Sequence, residues 1–277
     1  EYDIASRTFV EDGFYVLEAK SGIAWINQDE VLVSTDFGPD TMTESGYPSI
    51  VKRWKRGQPL EDAQLIMQID KKEMGIWPHT YFRPESNYTI VMRAITFRNQ
   101  EIMLLDKAGK AGKTRELRLV NFPKDADFQG FWNGTAFAIL RSDWRDARQG
   151  DVVALNMQTD DLTVLYHPDD RSSASYVATT QDSLLIGTLE NVTNIILELR
   201  LKNGTWETTA LPFDKTSELH LASSDDFASN YLVVATNFLT PSTLYLYGPG
   251  MKQPCELKCL PARFDASGLE VKQCRAT

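Results

Sequence analysis

The chain has 277 residues, of which 42% are hydrophobic and 24% charged, and its formal net charge is -9. This composition is that of a globular protein with a large core, and it excludes a disordered chain. The acidic balance disfavours nucleic acid, whose phosphates repel a negative surface. No apolar run approaches the ~20 residues of a membrane helix. We therefore expect neither nucleic acid nor a membrane among the partners.

Apolar runs recur along the chain at nearly regular intervals, and each is followed, after a hairpin-sized gap, by a second run. The first runs begin at Val31, Thr89, Ala136, Leu184 and Leu232, at spacings of 58, 47, 48 and 48 residues. Their consecutive apolar positions are typical of strands that are covered on both faces. The first spacing is longer because residues 37–49, rich in Gly, Pro, Ser and Thr, form an extended loop.

A period in the forties that is built of short strands is typical of propeller blades. The sequence therefore predicts an all-β fold, a β-propeller of about five four-stranded antiparallel blades. A β-sandwich with accidental regularity is the alternative, although it would be large at this length. We expect the propeller to occupy 1–262, with repeat units at about 1–60, 61–114, 115–167, 168–214 and 215–262. Residues 59–69 are compatible either with a helical turn or with an outer strand.

The three cysteines are Cys255, Cys259 and Cys274. Their odd count and their spacing favour free thiols over a disulfide framework, which is typical of a reducing compartment. We therefore expect a cytoplasmic protein, with the periplasm as the alternative. No histidine lies near enough in the sequence to complete a zinc site. We expect no metal and no other cofactor.

The sequence offers no catalytic residues. It lacks the Gly-x-Ser-x-Gly string that exposes a nucleophilic serine on a strand-to-helix turn. The three histidines, His79, His167 and His220, fall in different repeat units, and none follows a plausible nucleophile. An isolated histidine in a blade is typically a hydrogen-bonded structural residue. We therefore expect no Ser-Asp-His triad in this chain.

Four sequence motifs are specific to one protein family. They are residues 34–39 running into 45–48, then 50–57, 238–245 and 260–269. Together they resemble the propeller domain of the prolyl oligopeptidase family, especially its bacterial branch. In that family a propeller, usually seven-bladed, caps an α/β-hydrolase domain. The resemblance implies that this chain is a fragment with fewer blades, and that 263–277 link it to the α/β-hydrolase domain of the same polypeptide.

The same resemblance implies a function. The whole protein would be a serine peptidase that hydrolyses short peptides, and the propeller would gate access of the oligopeptide substrate. Rough alignment with the family places Trp77, Phe97 and Arg98 near the face that looks onto the active-site cavity, where they could contact a peptide. Core packing is the simpler role for the two aromatic residues. A stand-alone propeller that acts as a protein-binding scaffold is the alternative function.

Overall fold

A computed structural model describes residues 1–106, 117–191, 193–272 and 274. These residues form two compact units. The first comprises Glu1–Phe82 and the described part of 86–126, and the second comprises Arg83–Glu85 and the described residues from Asp127 onward. No helix in the described ranges is long and apolar enough to span a membrane.

The first unit contains a short hairpin and two four-stranded antiparallel sheets. The hairpin pairs β1 (Tyr2–Asp3) with β2 (Thr8–Phe9). The strands of the first sheet are β3 (Gly22–Asn27), β4 (Glu30–Ser34), β5 (Ile50–Lys55) and β6 (Gln64–Gln68). Those of the second sheet are β7 (Gly75–Tyr81), β8 (Tyr88–Ala94), β9 (Gln100–Leu105) and β10 (Leu117–Leu119).

The second unit contains three further four-stranded antiparallel sheets. The third sheet is formed by β11 (Asp127–Trp132), β12 (Thr135–Ile139), β13 (Val152–Asn156) and β14 (Leu162–Tyr166). The fourth is formed by β15 (Ser172–Thr179), β16 (Leu184–Glu190), β17 (Thr193–Lys202) and β18 (Thr205–Ala210). The fifth is formed by β19 (Glu218–Ser223), β20 (Tyr231–Thr236), β21 (Thr243–Tyr247) and β22 (Cys255–Cys259).

Every pairing within the five sheets joins strands that are neighbours in the chain. Two of the hairpins close through Asn-Gly pairs, Asn133-Gly134 and Asn203-Gly204, in which both residues have positive φ. Such pairs suit the type I′ turn, whose twist matches that of the flanking strands. Each sheet is therefore a simple meander, the topology that the sequence predicted for a blade.

The five apolar runs that the sequence singled out form the second strand of each sheet. Their side chains are buried, except for Met92 in β8 and Leu232 and Val234 in β20, which are half-buried. In the first unit, Leu32 and Val91 from two successive sheets share one core cluster. In the second unit, Phe137 and Ile186 belong to one cluster, and Leu185 and Val233 to another. Each second strand is thus covered by a neighbouring sheet, as the consecutive apolar positions indicated.

The segment 59–69 contains both of the structures that its sequence left open. A 3-10 turn at Leu60–Asp62 is followed by the outer strand β6, and Met67 of that strand pairs with Val51. The predicted boundary at 60/61 therefore divides the first sheet rather than preceding the second. Residues 107–114 of the second predicted unit, and 273 and 275–277 of the predicted linker, lie outside the described residues.

Candidate functional site

Trp77 lies near the start of β7, and its indole packs edge-on against Tyr47. The two ring centroids are 5.4 Å apart and the planes meet at 70°. Space for the indole comes from Gly75, because a Cβ at that position would lie 2.7 Å from Cη2 of Trp77 and 2.9 Å from Cβ of Tyr47. Glycine at this position therefore allows a half-buried ring to lie over the strand.

The β4–β5 loop that carries Tyr47 is fixed to the start of β7. The amide of Ile76 donates a hydrogen bond to the carbonyl of Pro48 at 3.1 Å. The hydroxyl of Thr43 donates to the carbonyl of Met74, also at 3.1 Å. One side-chain bond from Thr43 and one backbone bond to Pro48 thus hold the loop on both sides of Tyr47.

Lys20 completes a group that we call the aromatic corner, formed by Lys20, Tyr47 and Trp77. The Lys20 ammonium lies 4.2 Å from the centroid of the Tyr47 ring, in a cation–π contact. Within the described ranges, the Lys20 ammonium has no ion-pair partner. The Tyr47 hydroxyl and the Trp77 N–H have no hydrogen-bond partner there either. The corner therefore presents three unused donor groups around two aromatic rings.

Phe97 and Arg98 lie in the turn between β8 and β9. Phe97 is 92% exposed, so the core-packing role suggested for it is wrong. The hydroxyl of Thr96 accepts hydrogen bonds from the amides of Arg98 at 3.2 Å and Asn99 at 3.1 Å, which closes the turn and leaves Phe97 at its tip. No partner for the Arg98 guanidinium exists in the part of the chain that the structure describes.

The three predicted residues share one end of one sheet. Gly75 pairs with Ala94, so the start of β7 and the β8–β9 turn are adjacent. The structure adds Tyr47 and Lys20, which the sequence reasoning missed. The string 45–48 pointed towards Tyr47 as part of the family resemblance. Nothing in the sequence pointed to Lys20, because its contact with the ring is tertiary.

A charge cluster also lies at this end of the second sheet. Arg93 donates to both oxygens of Glu73, at 2.7 and 2.6 Å, and to Glu101 at 2.9 Å. Lys124 lies 2.8 Å from Glu101. The hydrogen bond from Lys124 and the charge of Arg93 hold the pKa of Glu101 below its ordinary value. These carboxylates are already neutralised by Arg93 and Lys124, whereas Arg98 and Lys20 have no ion-pair partner among the described residues.

The histidines lie in three different sheets or their flanks. His167 has its Nδ1 2.5 Å from Oδ1 of the buried Asp151, which confirms the structural hydrogen bond expected of it. His79 packs edge-on against Tyr81, with centroids 4.5 Å apart. Among the described residues, no group of three or more His, Cys, Asp or Glu side chains could hold a metal ion. The three cysteines are free and exposed.

Comparison with known proteins identifies the five sheets. The family model described as the N-terminal β-propeller domain of prolyl oligopeptidase matches residues 1–253. The chain belongs to this family. Its four-stranded sheets are therefore blades of a prolyl oligopeptidase propeller, and the predicted fold class is confirmed.

The relatives of this propeller are longer proteins. An uncharacterised peptidase of Sinorhizobium fredii is 30% identical over 291 residues, and one of Rickettsia prowazekii is 25% identical over 300 residues. Both matches include the whole of this chain, which spans 40% and 41% of the two relatives. Both relatives are named as peptidases, and each is more than twice as long as this chain.

Solved structures show the same fold. A post-proline cleaving enzyme from Rickettsia typhi matches with a TM-score of 0.80 at 24% identity, over 95% of this chain and 41% of that chain. Oligopeptidase B from Trypanosoma brucei matches with a TM-score of 0.64 at 16% identity, over 88% of this chain and 35% of that chain. The chain thus shares the fold of one part of these much longer chains.

Proposed function

We propose that this propeller gates the access of short peptides to a serine-peptidase catalytic domain of the same polypeptide. The observation that carries the proposal is the family match over 1–253 together with curated relatives that are peptidases of more than twice the length. In the whole protein, a serine on the catalytic domain would cleave peptides by acyl transfer, after proline or a related residue. The propeller would supply selectivity, since its own sequence contains no nucleophile elbow.

The packing of the sheets supports a gating role. Apolar side chains of their second strands are buried within each unit, with Val33, Phe137 and Ile186 at most 1% exposed. Close-packed interiors of this kind deform little, so they form firm walls. A firm wall beside a catalytic domain would exclude a folded protein and admit a flexible peptide.

The aromatic corner and the β8–β9 turn suit contacts with a peptide. Aromatic rings such as Trp77 and Phe97 cover apolar side chains, including the flat face of a proline ring. The unpaired Arg98 and Lys20 can donate to peptide carbonyls or to a terminal carboxylate. We therefore propose that Trp77, Phe97 and Arg98 touch the substrate, with Lys20 and Tyr47 beside them.

The test uses the complete polypeptide, including the catalytic domain. Its kcat/KM is measured for a short proline-containing peptide and for the same cleavage sequence placed in a loop of a folded protein. We expect turnover of the peptide, inhibition by a serine-peptidase inhibitor, and no cleavage of the folded substrate. Equal kcat/KM for the two substrates would contradict gating.

The 277-residue chain serves as the control, and it should give no turnover of either substrate. An inactive complete polypeptide that forms a stable complex with another protein would favour the protein-binding scaffold instead. The two functions are therefore separated by activity on the short peptide.

A further inference from the structure

A second phenylalanine, Phe238, projects from the fifth sheet. It lies in the β20–β21 turn and is 87% exposed. The side-chain oxygen of Asn237 accepts hydrogen bonds from the amides of Leu239 at 2.9 Å and Thr240 at 2.7 Å. This Asx turn fixes the backbone and places the ring at its tip. The exposed ring is therefore available for contact with a partner, as aromatic rings at interfaces are.

A cavity of about 570 Å³ lies beside the ring. Its size is that of pockets that enclose a ligand or several side chains. Apart from Phe238, its lining includes Thr193, Lys215, Val271, Lys272 and Cys274. The wall thus combines residues of the fourth and fifth sheets with the last described segment of the chain.

The charged side chains around the cavity differ in whether they have a partner. Glu218 accepts a hydrogen bond from the Asn194 amide at 2.8 Å. Lys272 lies 3.1 Å from the carboxylate of Glu270. Lys215 has no ion-pair partner in the ranges that the structure describes. The cavity therefore offers an exposed ring and one unpaired cation.

We infer that this cavity seats the catalytic domain of the same polypeptide, which places an apolar side chain against Phe238 and a carboxylate against Lys215. The inference rests on the proposal that such a domain accompanies this chain. The matching family model is that of an N-terminal domain, so the proposed catalytic domain would follow this segment in the longer polypeptide. Val271 and Cys274 line the cavity together with Phe238, so the last described part of the chain already lies at this surface. Aromatic anchors with a charged neighbour are typical of interface centres.

Phe227 offers a matched control on the same sheet. It is 60% exposed, and its backbone amide donates a hydrogen bond to the side-chain carboxylate of Asp225 at 2.9 Å. It lies in the β19–β20 turn, at the opposite end of the sheet from Phe238. The two rings thus have similar turns but face different surroundings.

The experiment measures maleimide labelling of single cysteines in the complete polypeptide after its native cysteines are replaced by serine. The reporter Thr240→Cys lies beside an intact Phe238 and should react about ten-fold or more slowly than the reference Phe227→Cys. The reason is that the reagent reaches residue 240 only when the catalytic domain moves away from the cavity. Adding Phe238→Ser or Lys215→Glu should restore fast labelling at 240. Adding Phe227→Ser should not.

Equal labelling of the two reporters, or the same slow rate with and without Phe238→Ser, would overturn the inference. Protection at 240 that disappears on dilution would assign the ring to a contact between copies and would also overturn it. The same proteins are assayed on the short peptide and the folded substrate. Slow labelling at 240 together with cleavage of the folded substrate would support the contact at Phe238 but contradict gating. Fast labelling at 240 without cleavage of the folded substrate would contradict the contact at Phe238 but leave gating supported.

Discussion

The buried guanidinium of Arg83 contacts the carboxylate of Asp226, although Arg83 comes from the β7–β8 connection and Asp226 from the β19–β20 turn. Both residues belong to the second unit. The Arg83 side chain is 7% exposed and that of Asp226 is 27% exposed. Nε of Arg83 also donates to the carbonyl of Phe131 at 2.6 Å, and the Thr179 hydroxyl donates to Asp226 at 2.5 Å. This network fixes Arg83–Glu85 within the second unit.

The two partners should respond unequally to substitution. Asp226→Asn leaves a buried guanidinium without its countercharge, so we expect the free energy of unfolding to fall by about 3–5 kcal/mol. Arg83→Met leaves a more exposed carboxylate that water can reach, and we expect a smaller loss of about 1–3 kcal/mol. Urea unfolding measures both. The exposed pair of Arg141 and Asp127 is the control, and Arg141→Met should cost less than about 1 kcal/mol. Losses of equal size for Asp226→Asn and Arg141→Met would contradict the buried role.

Gly75→Ala should displace the Trp77 indole. The new Cβ would overlap the ring, and relief of such overpacking costs about 1–3 kcal/mol. In protein labelled with 5-fluorotryptophan, the ¹⁹F resonance of Trp77 is identified by its absence from the Trp77→Phe variant. This resonance should shift in Gly75→Ala. Gly57→Ala is the control, because φ at Gly57 is +75° and no atom lies within 4 Å of its Cβ position. That variant should lose stability from backbone strain but keep the Trp77 resonance in place. An unmoved resonance in Gly75→Ala would refute the close packing.

The fall in the free energy of unfolding at acidic pH should depend in part on Glu101. Its pKa in the folded protein lies below the ordinary value of 4.5, so the ionised carboxylate stabilises the fold above that pH. The contribution is lost as the pH falls through the folded pKa. The difference in unfolding free energy between wild type and Glu101→Gln should therefore be largest near neutral pH and shrink below 4.5. Lys124→Met removes the hydrogen-bond donor to Glu101, so the free energy of unfolding of this variant should depend less on pH in the same acidic range. A pH-independent difference for Glu101→Gln would rule out this assignment.

The proposed peptide contacts predict a kinetic pattern in the complete polypeptide. Trp77→Ala and Arg98→Ala should raise KM for a short peptide by about three- to ten-fold and leave kcat nearly unchanged, because binding groups remote from the reacting bond act equally on substrate and transition state. Arg118 on β10, in the same sheet, is the control, since its charge lies near Asp106 at 3.7 Å. A KM that is unchanged in Arg98→Ala, or raised equally in Arg118→Ala, would count against the site.

The cysteines should be reactive without unfolding. All three are free and exposed, so titration of the 277-residue chain with a thiol reagent should count three thiols in native buffer. Denaturant should leave the count unchanged. A native count of one would indicate a disulfide and would contradict the reducing environment inferred from the sequence.

The central strands could be predicted from the sequence because burial on both faces selects consecutive apolar residues. Val31–Val33 and Leu184–Ile186 illustrate this, since each of these side chains is fully buried. The outer strand of the fifth sheet carried no such signal. All five residues of β22 are exposed, and their sequence, with Glu256 and Lys258, could belong to a loop. Its assignment as a strand comes from pairing with β21, which only the fold supplies.

The candidate site could be predicted only in part, for a related reason. Trp77 was identified through rough alignment with the family. Its partner Tyr47 lies in a loop of the preceding sheet, and its position depends on the backbone bond between Ile76 and Pro48. Contacts between a long loop and the next sheet follow from tertiary packing rather than from periodicity. The exposure of Phe97 was missed because an apolar residue in a short turn has the same sequence signal as one at the end of a buried strand.

The meander topology has a consequence for synthesis of the chain on the ribosome. Since each sheet uses only consecutive strands, its hydrogen bonds can form as soon as its own segment has emerged. Its apolar faces stay open until the following segment arrives, as with Leu185 and Ile196 of the fourth sheet, which are covered by Val233 of the fifth. A nascent chain paused after the fourth sheet would therefore display a hydrophobic surface for chaperones. The same chain released after the fifth sheet would not display it.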